Sequence, residues 1–406
     1  MDSDNLIGVI ELGGVKIKCI IFEINSNNNL EILSSSVTKS EGVNNSKIVN
    51  FSKAVNSIRS CISLAEKKAK VLLKKINVVF EQTEFLCTKF SKHKKIDGTK
   101  IQKEDIEFLL KDAKKQLTQN DDKQSIIHIF NHNYIVDGKS FIEEPINIYA
   151  NSLSHEMTFI TTPKNNIKNI KEAFVHCDIE IARFISSMFA LGVELLDEDH
   201  LDFGSILIDL GFEKTSIGLF KNLALVHSTT LPIGINHIVK DISKVCSLSL
   251  HESELIKNNF DYSLINNVSM FDENNYLKEN YFKESNPRKL RKSLILNILQ
   301  ARLNEILEMI NKQIRISGLS FENNIFITGG GSKLKNIDMY FSEFLKFDVK
   351  KLNGETKANI QEHVNEDFNS CLGASKIIQN GWETEAIPQS ISKNDEKKGF
   401  FAKIFG

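Results

Sequence analysis

The sequence predicts an α/β protein built on a repeated unit, and three observations support this. Residues 6–22 read LIGVIELGGVKIKCIIF, two β-rich halves joined by a Gly-Gly turn, which is typical of a hairpin. Residues 206–220, ILIDLGFEKTSIGLF, repeat the pattern without a gap when Glu11 is aligned with Asp209. Helical stretches follow each hairpin. Because such repeats usually mark a duplicated structural unit, each hairpin is predicted to open one half of the protein.

The composition fits a soluble globular protein and excludes several other classes. The chain has 406 residues, of which 41% are hydrophobic and 25% charged, and this length is enough for two or three folding units. Its formal net charge of -1 gives no general attraction for nucleic acid. The acidic N-terminus is unlike a signal peptide, no apolar run reaches the roughly 18 residues of a membrane span, and no C-x-x-C pair occurs. We therefore expect a cytoplasmic protein without a zinc site or disulfides.

The segments between and after the hairpins predict helices and a small inserted domain. Apolar residues within residues 50–75 have the spacing of an amphipathic helix. Residues 77–160 alternate strand-like runs with a helix that begins near residue 102, which predicts an α+β insertion with its own sheet. Residues 241–284 and 289–317 are predicted to be helical.

Residues 324–328 predict a strand that runs into three glycines, followed by a helix from about residue 334. A strand followed by glycines and a helix is typical of a ligand-facing turn in α/β sheets. The hairpins also have the residues of a phosphate site. A glycine at the tip lets backbone N–H groups approach phosphate oxygens, and a preceding acid holds Mg²⁺ through water. A single hairpin of this kind is more often only a tight turn. Its repetition in register, together with the glycine turn, favours a site that clamps a triphosphate from both sides.

The C-terminal residues 399–406 predict a short amphipathic helix after a polar, flexible tether at residues 383–396. Four apolar side chains share an arc of about 140° at about 100° per residue, with a lysine opposite. Two further lysines would lie near anionic lipid headgroups. An alternative is a helix docked on the protein's own core. The predicted membrane-binding residues are Lys397, Lys398, Phe400, Phe401, Lys403, Ile404 and Phe405.

Together these motifs resemble the FtsA family of actin-like bacterial cell-division proteins, within the superfamily of actin, sugar kinases and heat-shock chaperone ATPases. The resemblance rests on IELGGVK, ILIDLG, LPIGINHIVKDI, SELIK, ITGGGSKLKN and the aromatic tail. It implies an α/β, actin-like two-lobed fold with duplicated ribonuclease-H-like subdomains and an inserted small α+β subdomain. The implied domains are a first lobe at residues 1–80 and 161–200, with the inserted subdomain at 81–160. The core of the second lobe lies at 201–232 and 325–380, with a nucleotide-capping and partner-binding subdomain at 233–324. A flexible linker follows at 381–396, and a membrane-targeting tail at 397–406.

The resemblance also implies an ATP and Mg²⁺ site. Glu11 and Asp209 would face Mg²⁺, the glycines would approach the phosphates and the adenosine, and Glu254 with Lys257 would reach the ribose and base. From the residues alone, the last two are better explained as an exposed helix face with paired charges. The implied ATP-binding residues are Glu11, Gly13, Gly14, Lys16, Asp209, Gly211, Lys214, Thr215, Glu254, Lys257, Gly329, Gly330 and Gly331.

Departures from the family pattern predict weakened nucleotide binding. The family's second loop is a glycine run followed by Thr, whereas here Gly211 is followed by Phe212, Glu213 and Lys214. A carboxylate about 4 Å from a phosphate oxygen would cost roughly 4 kcal/mol at an effective dielectric constant near 20, which Lys214 would partly offset. In the first loop, Gly14 replaces a hydroxyl residue. We expect at most slow ATP hydrolysis and assign no catalytic residue, because no side chain stands out as a base that activates water.

The function implied by the resemblance is that of a peripheral membrane protein of the divisome. It would polymerise into filaments on the cytoplasmic face of the bacterial inner membrane at the division site and tether FtsZ there, alongside other division proteins. Two alternatives remain. A small-molecule kinase of the same superfamily would need a catalytic acid in a substrate cleft and has no use for a phenylalanine-rich tail. The related type IV pilus assembly scaffold shares the fold.

Overall fold

The computed structural model describes residues 5–25, 29–265, 275–318, 324–352, 368–380 and 385–386. The chain forms two compact units. The first comprises Met1–Gly204, Gly218–Thr229 and Gly354–Gly406, and the second comprises Ser205–Ile217 and Thr230–Asn353. Within the described residues, no helix combines the length and the apolar character that a bilayer span requires.

The first unit contains a five-stranded sheet of mixed direction. Its strands are β1 (Leu6–Leu12), β2 (Lys16–Ile24), β3 (Leu30–Lys39), β6 (Lys75–Phe80) and β11 (Glu180–Ser186), and a separate two-stranded ribbon is formed by β4 (Val43–Asn44) and β5 (Lys47–Ile48). The sheet order is β11-β6-β1-β2-β3. β1 and β2 form the antiparallel hairpin that the sequence predicts, whereas β6 and β11 run parallel to β1. The run INVVF at residues 76–80, which the sequence analysis counted with the insertion when it began that segment at residue 77, therefore belongs to this sheet.

Helices cover this sheet. They are α1 (Phe51–Ala69), α3 (Lys164–Val175), α4 (Ser187–Leu195) and α10 (Asn369–Gln379), and the short helix α5 (Glu198–Phe203) follows α4 in the chain. The predicted amphipathic helix is α1, which buries Ala54, Ile58, Cys61 and Ala65 and ends at Lys70 in the left-handed conformation.

The position of α10 differs from the predicted domain boundaries, which placed residues 325–380 in the second lobe. α10 packs on α4 so closely that a Cβ atom added to Gly373 would lie 1.8 Å from the carbonyl oxygen of Ala190. Ser370, at the start of α10, also donates a hydrogen bond to Glu11. These contacts place the helix in the first unit, and only a glycine permits the close helix crossing.

The insertion forms an antiparallel sheet with one helix, as the sequence predicts. Its elements are β7 (Leu86–Lys100), α2 (Lys103–Asn120), β8 (Gln124–Val136), β9 (Lys139–Phe141) and β10 (Tyr149–Pro163). The predicted helix start is confirmed, since the backbone N–H of Gln102 donates to Asp105 at 2.7 Å. Ile106, Leu109 and Ala113 of α2 are buried.

A further strand extends this sheet, which has the order β17-β8-β10-β7. β17 (Glu385–Ala386) lies within the linker that the sequence predicts to be flexible, and it runs parallel to β8. At these two residues the chain is therefore held as a strand. The other linker residues, 381–384 and 387–396, lie outside the described residues, as does the predicted membrane-targeting tail at 397–406.

The second five-stranded sheet has the order β14-β13-β12-β15-β16. Its strands are β12 (Ser205–Leu210), β13 (Thr215–Lys221), β14 (Ala224–Leu231), β15 (Ile325–Thr328) and β16 (Val349–Lys351), and the helices of this part of the chain are α6 (Asn236–Cys246), α7 (Leu250–Asn259), α8 (Lys292–Ile316) and α9 (Ile337–Leu345). β12 runs parallel to β15, which aligns Asp209 with Thr328. The prediction of continuous helix over 241–284 is only partly right, because residues 275–284 contain only a short 3₁₀ turn.

His155 lies in the core of the inserted subdomain without a hydrogen-bond partner. Its side chain is 1% exposed and stacks on Tyr134 with ring centroids 4.3 Å apart, and neither ring nitrogen has a partner among the described residues. Burial lowers the pKa of His155 to about 3 and that of His227 to about 4. Such a histidine takes up a proton in the unfolded chain near pH 6.5 but not in the folded chain. Stability is therefore lost as the pH falls from about 6.5 toward these folded-state pKa values.

Replacing His155→Phe is expected to raise the free energy of unfolding by about 2 kcal/mol more at pH 5 than at pH 7, because the phenyl ring has no proton to acquire on unfolding. Urea denaturation at the two pH values measures this difference. His251→Gln, at an exposed position, is the control and should leave the pH dependence unchanged. The same pH dependence in His155→Phe and in the parent protein would contradict the interpretation.

Candidate functional site

The two glycine turns have the same backbone geometry. A Cβ atom added to Gly13 would lie 2.4 Å from the carbonyl oxygen of Lys16, and one added to Gly211 would lie 2.7 Å from the carbonyl oxygen of Lys214. Both distances are shorter than the contacts that Cβ atoms make in proteins, so each turn closes as it does only over glycine. The repeat seen in the sequence is therefore also a repeat of backbone structure.

The first turn presents Gly14 and Lys16 at the surface, while Glu11 is already held by neighbouring side chains. Gly14 and Lys16 are exposed. The ammonium of Lys18 lies 2.8 Å from Glu11 Oε2, and the hydroxyl of Ser370 donates to the same oxygen at 2.7 Å. Because a lysine already balances its charge, Glu11 is less available to a cation than the sequence suggests.

Buried polar side chains that the sequence analysis missed support the first turn. The hydroxyl of Ser46 donates to the carbonyl oxygen of Leu12, directly before Gly13, at 2.5 Å. The amide of Gln82 in turn donates to the Ser46 carbonyl oxygen at 2.8 Å, and its own oxygen accepts from Thr162 at 2.9 Å. Ser46 is 1% exposed and Gln82 is fully buried. This network connects the turn to β10 of the inserted subdomain.

The second turn is supported by the start of α6. The backbone N–H groups of Ile235 and Asn236 donate to the carbonyl oxygens of Gly211 and Phe212 at 3.1 and 2.8 Å. Gly234 makes this approach possible, since a Cβ atom there would lie 2.5 Å from the Phe212 carbonyl oxygen. Gly234 stands within LPIGIN, but nothing in its sequence context identified it as a support for the turn.

Glu213, which the sequence analysis identified as unfavourable for phosphate, is held by two side chains of α6. The amide of Asn236 donates to Glu213 Oε1 at 2.6 Å, and the ammonium of Lys240 lies 3.3 Å from Oε2. Lys240 therefore supplies a compensating charge beside Glu213, in addition to the one expected from Lys214. Thr215 departs from the prediction, because it is fully buried and its hydroxyl donates to the Ile233 carbonyl oxygen at 2.7 Å.

The glycine loop after β15 lies directly against Asp209. Gly329 has a φ of +84°, and a Cβ atom there would lie 2.1 Å from Asp209 Oδ1. A Cβ atom on Gly331 would lie 2.7 Å from the Leu210 Cβ atom, whereas Gly330 is exposed and its added Cβ atom would meet no described atom within 4 Å. The structure thus brings Asp209 and the predicted adenosine loop together within the second unit.

Helix α7 is tied to the same loop. The Tyr262 N–H donates to the Lys335 carbonyl oxygen, and its hydroxyl donates to the Lys257 carbonyl oxygen, both at 3.0 Å. Asp261 accepts from Asn336 at 2.9 Å and lies 2.8 Å from the Lys335 ammonium. Although burial raises the pKa of Asp261, these hydrogen bonds dominate and hold it below its usual value.

The two predicted binding residues on α7 have different exposure. The side chain of Glu254 is 50% exposed, whereas that of Lys257 is 3% exposed, with 3.8 Å between its ammonium and Glu254 Oε1. Burial lowers the pKa of Lys257, and Glu254 opposes that shift. Glu254 is therefore the one of the pair that is open to a ligand.

Gly211→Ala is expected to lower the free energy of unfolding by about 1–3 kcal/mol, because the added methyl group would collide with the Lys214 carbonyl oxygen. Gly330→Ala is the matched control, since its added Cβ atom has open space among the described atoms. Urea denaturation of both variants measures the difference. An equal loss of stability in the two would contradict the geometry described for the turn.

Comparisons with known proteins bring these features under one family. A family model described as "Cell division protein FtsA" matches residues 206–373, and one described as "SHS2 domain inserted in FTSA" matches residues 85–161. The PilM-PilN type IV pilus biogenesis complex resembles the chain with a TM-score of 0.61 at 11% identity, covering 90% of this chain and 96% of that one. MreB5 of Spiroplasma citri bound to ADP gives a TM-score of 0.52 at 11% identity, with 93% and 98% covered. These structural likenesses concern the fold alone, which is actin-like.

Relatives in other bacteria bear the same family name. "Cell division protein FtsA" of Borreliella burgdorferi is 26% identical over 415 residues, covering 100% of this chain and 98% of that relative. The protein of the same name from Bacillus subtilis is 26% identical over 360 residues, covering 86% and 79%. With the two family models and these relatives in agreement, the chain belongs to the FtsA family of cell division proteins.

Proposed function

We propose that the chain binds ATP with Mg²⁺, polymerises on the cytoplasmic face of the bacterial inner membrane at the division site, and tethers FtsZ filaments there through its C-terminal helix. Family membership supports a role in cell division. The observation that carries nucleotide binding is the repeated turn, in which Gly13 and Gly211 close over a lysine carbonyl oxygen in the same way. The solved structure of MreB5 with ADP adds support from a protein of the same fold.

The exposed parts of both turns suit a triphosphate. In the first unit, Gly14 and Lys16 are exposed, and the backbone of the turn and the lysine ammonium would approach phosphate oxygens. In the second unit, Asp209 and the loop at Gly329–Gly331 are held together, and Glu254 is open to a ribose or base. We expect weak to moderate affinity for ATP. We also expect slow hydrolysis, because no base for water activation is evident at either turn.

Mg²⁺ would be held mainly by phosphate and water. Among the described residues, no group of three His, Cys, Asp or Glu side chains lies close enough to hold a metal ion. Mg²⁺ commonly uses one or two carboxylates together with substrate phosphates and water, and Asp209 fits that role. Glu11 would take part through water only after its contacts with Lys18 and Ser370 adjust. When bound, the ion would supply charge neutralisation for the phosphates.

The remaining assignments of the domains follow from the family and are proposals here. The inserted subdomain, 81–160, would contribute to filament contacts, and residues 233–324 would cap the nucleotide and receive the FtsZ peptide. The pilus-scaffold alternative shares the fold, as the likeness to the PilM-PilN complex indicates. The match of two FtsA family models favours the division function over that alternative.

Lys240→Met is expected to weaken ATP binding about fivefold. Without the lysine, Glu213 beside the phosphates would lose a favourable electrostatic interaction of roughly 1 kcal/mol. Glu213→Gln should strengthen binding, and the double variant should return toward the parent affinity. Lys244→Met, an exposed lysine of the same helix, is the control. Titration calorimetry with ATP measures all four. Unchanged affinity in Lys240→Met would contradict the role assigned to this pair.

The membrane helix can be tested with two substitutions of equal charge. Phe401→Asp places a carboxylate on the predicted apolar face, whereas Ala402→Asp places one on the opposite face. We expect Phe401→Asp to weaken co-sedimentation with anionic vesicles about tenfold, because the loss of one buried aromatic side chain adds to the charge repulsion. Deleting residues 399–406 should abolish binding. The tether proposal fails if the two aspartates have equal effects or if the deletion leaves binding intact.

A further inference from the structure

The outer edge of β8 is a strand-pairing surface that this chain covers with its own linker. β8 has β10 on one side, and β17 pairs with it in parallel, with Glu385 opposite Ile129 and Ala386 opposite Phe130. Five consecutive β8 residues, 127–131, are buried, so both faces of this part of the strand are covered. An uncovered edge here would present free backbone N–H and C=O groups to other extended chains.

The pairing is short. It joins two residues of β17 to two of β8, so few backbone hydrogen bonds hold the strand in place. Strand addition of this kind depends on main-chain hydrogen bonds and on how close the flanking elements hold the segment to the sheet edge. α10 ends at Gln379 in the same unit, and only the five residues 380–384 separate it from β17. Such a contact is suited to attach and detach while α10 stays folded.

We propose that residues 385–386 act as a detachable strap on the β8 edge, and that this strap sets the length of the tether to the membrane helix. The length effect rests on the membrane role proposed above for the tail. With the strap attached, residues 387–396 can span at most about 35 Å. With the strap released, residues 381–396 can span at most about 55 Å. One chain therefore has a short and a long tether.

The strap itself can be tested without a membrane. Trp382 is the only tryptophan of the chain and lies three residues before β17, so its emission reports whether this segment is held. Glu385→Pro/Ala386→Pro removes both backbone N–H groups, and Ser390→Pro/Ser392→Pro is the control with two prolines outside the pairing. We expect the strap variant to raise acrylamide quenching of Trp382 at least twofold, while the control matches the parent. Equal quenching in all three proteins would overturn the proposal.

Hydrogen exchange provides a second measurement of the same contact. The amides of the segment that contains Ile129 and Phe130 should exchange at least tenfold faster in the strap variant than in the control, because their covering strand is gone. Unchanged exchange in this segment would also overturn the proposal.

The tether length is tested on anionic vesicles by electron cryomicroscopy, which measures the gap between the bilayer and the protein layer. We expect the gap to widen by up to about 20 Å in the strap variant and to stay unchanged in the control. Equal gaps would refute the role of the strap in setting length. If none of the three proteins binds vesicles, the membrane function proposed above fails, and the quenching and exchange measurements still decide whether the strap exists.

Discussion

The approach of a lysine carbonyl oxygen to a glycine Cα atom is the constraint on which both glycine turns depend. It occurs at Gly13 with Lys16 and again at Gly211 with Lys214, and in each case a Cβ atom would be too close to that oxygen. Glycine is thus required by the turn itself, before any ligand is considered. In the first turn, the residues after this glycine include Gly14 and Lys16, which are exposed.

In the second unit, this constraint extends to a wider set of close backbone approaches. Gly234 lets the start of α6 donate two hydrogen bonds to the turn, and Gly329 lets the glycine loop after β15 lie on Asp209. Once α6 is fixed there, Asn236 and Lys240 reach Glu213. The carboxylate that made this loop look unsuited to phosphate is therefore held and balanced by the helix that supports the turn.

The sequence predicted the parts of the structure that have a local pattern. Both hairpins, helix α1 and the start of α2 near residue 102 follow from alternation and helical periodicity, and the FtsA resemblance implied the actin-like fold. The sequence patterns did not predict interactions between segments that are distant in the chain. The support of the first turn by Ser46 and the burial of the Thr215 hydroxyl have no signal in spacing or composition.

Two further differences between the predicted and the observed structure have the same origin. α10 belongs with the first unit because Gly373 allows a close crossing with α4, and helical periodicity does not specify which partner a helix selects. β17 pairs through backbone atoms, so a polar segment predicted to be a tether gives no side-chain pattern from which a strand could be inferred.

The central proposal is that each chain binds one ATP with Mg²⁺. Titration calorimetry of the full chain with AMPPNP, with and without Mg²⁺, tests it most directly. The account predicts one site per chain and tighter binding when Mg²⁺ is present. No detectable binding by the folded protein at millimolar AMPPNP, or two independent sites per chain, would contradict it.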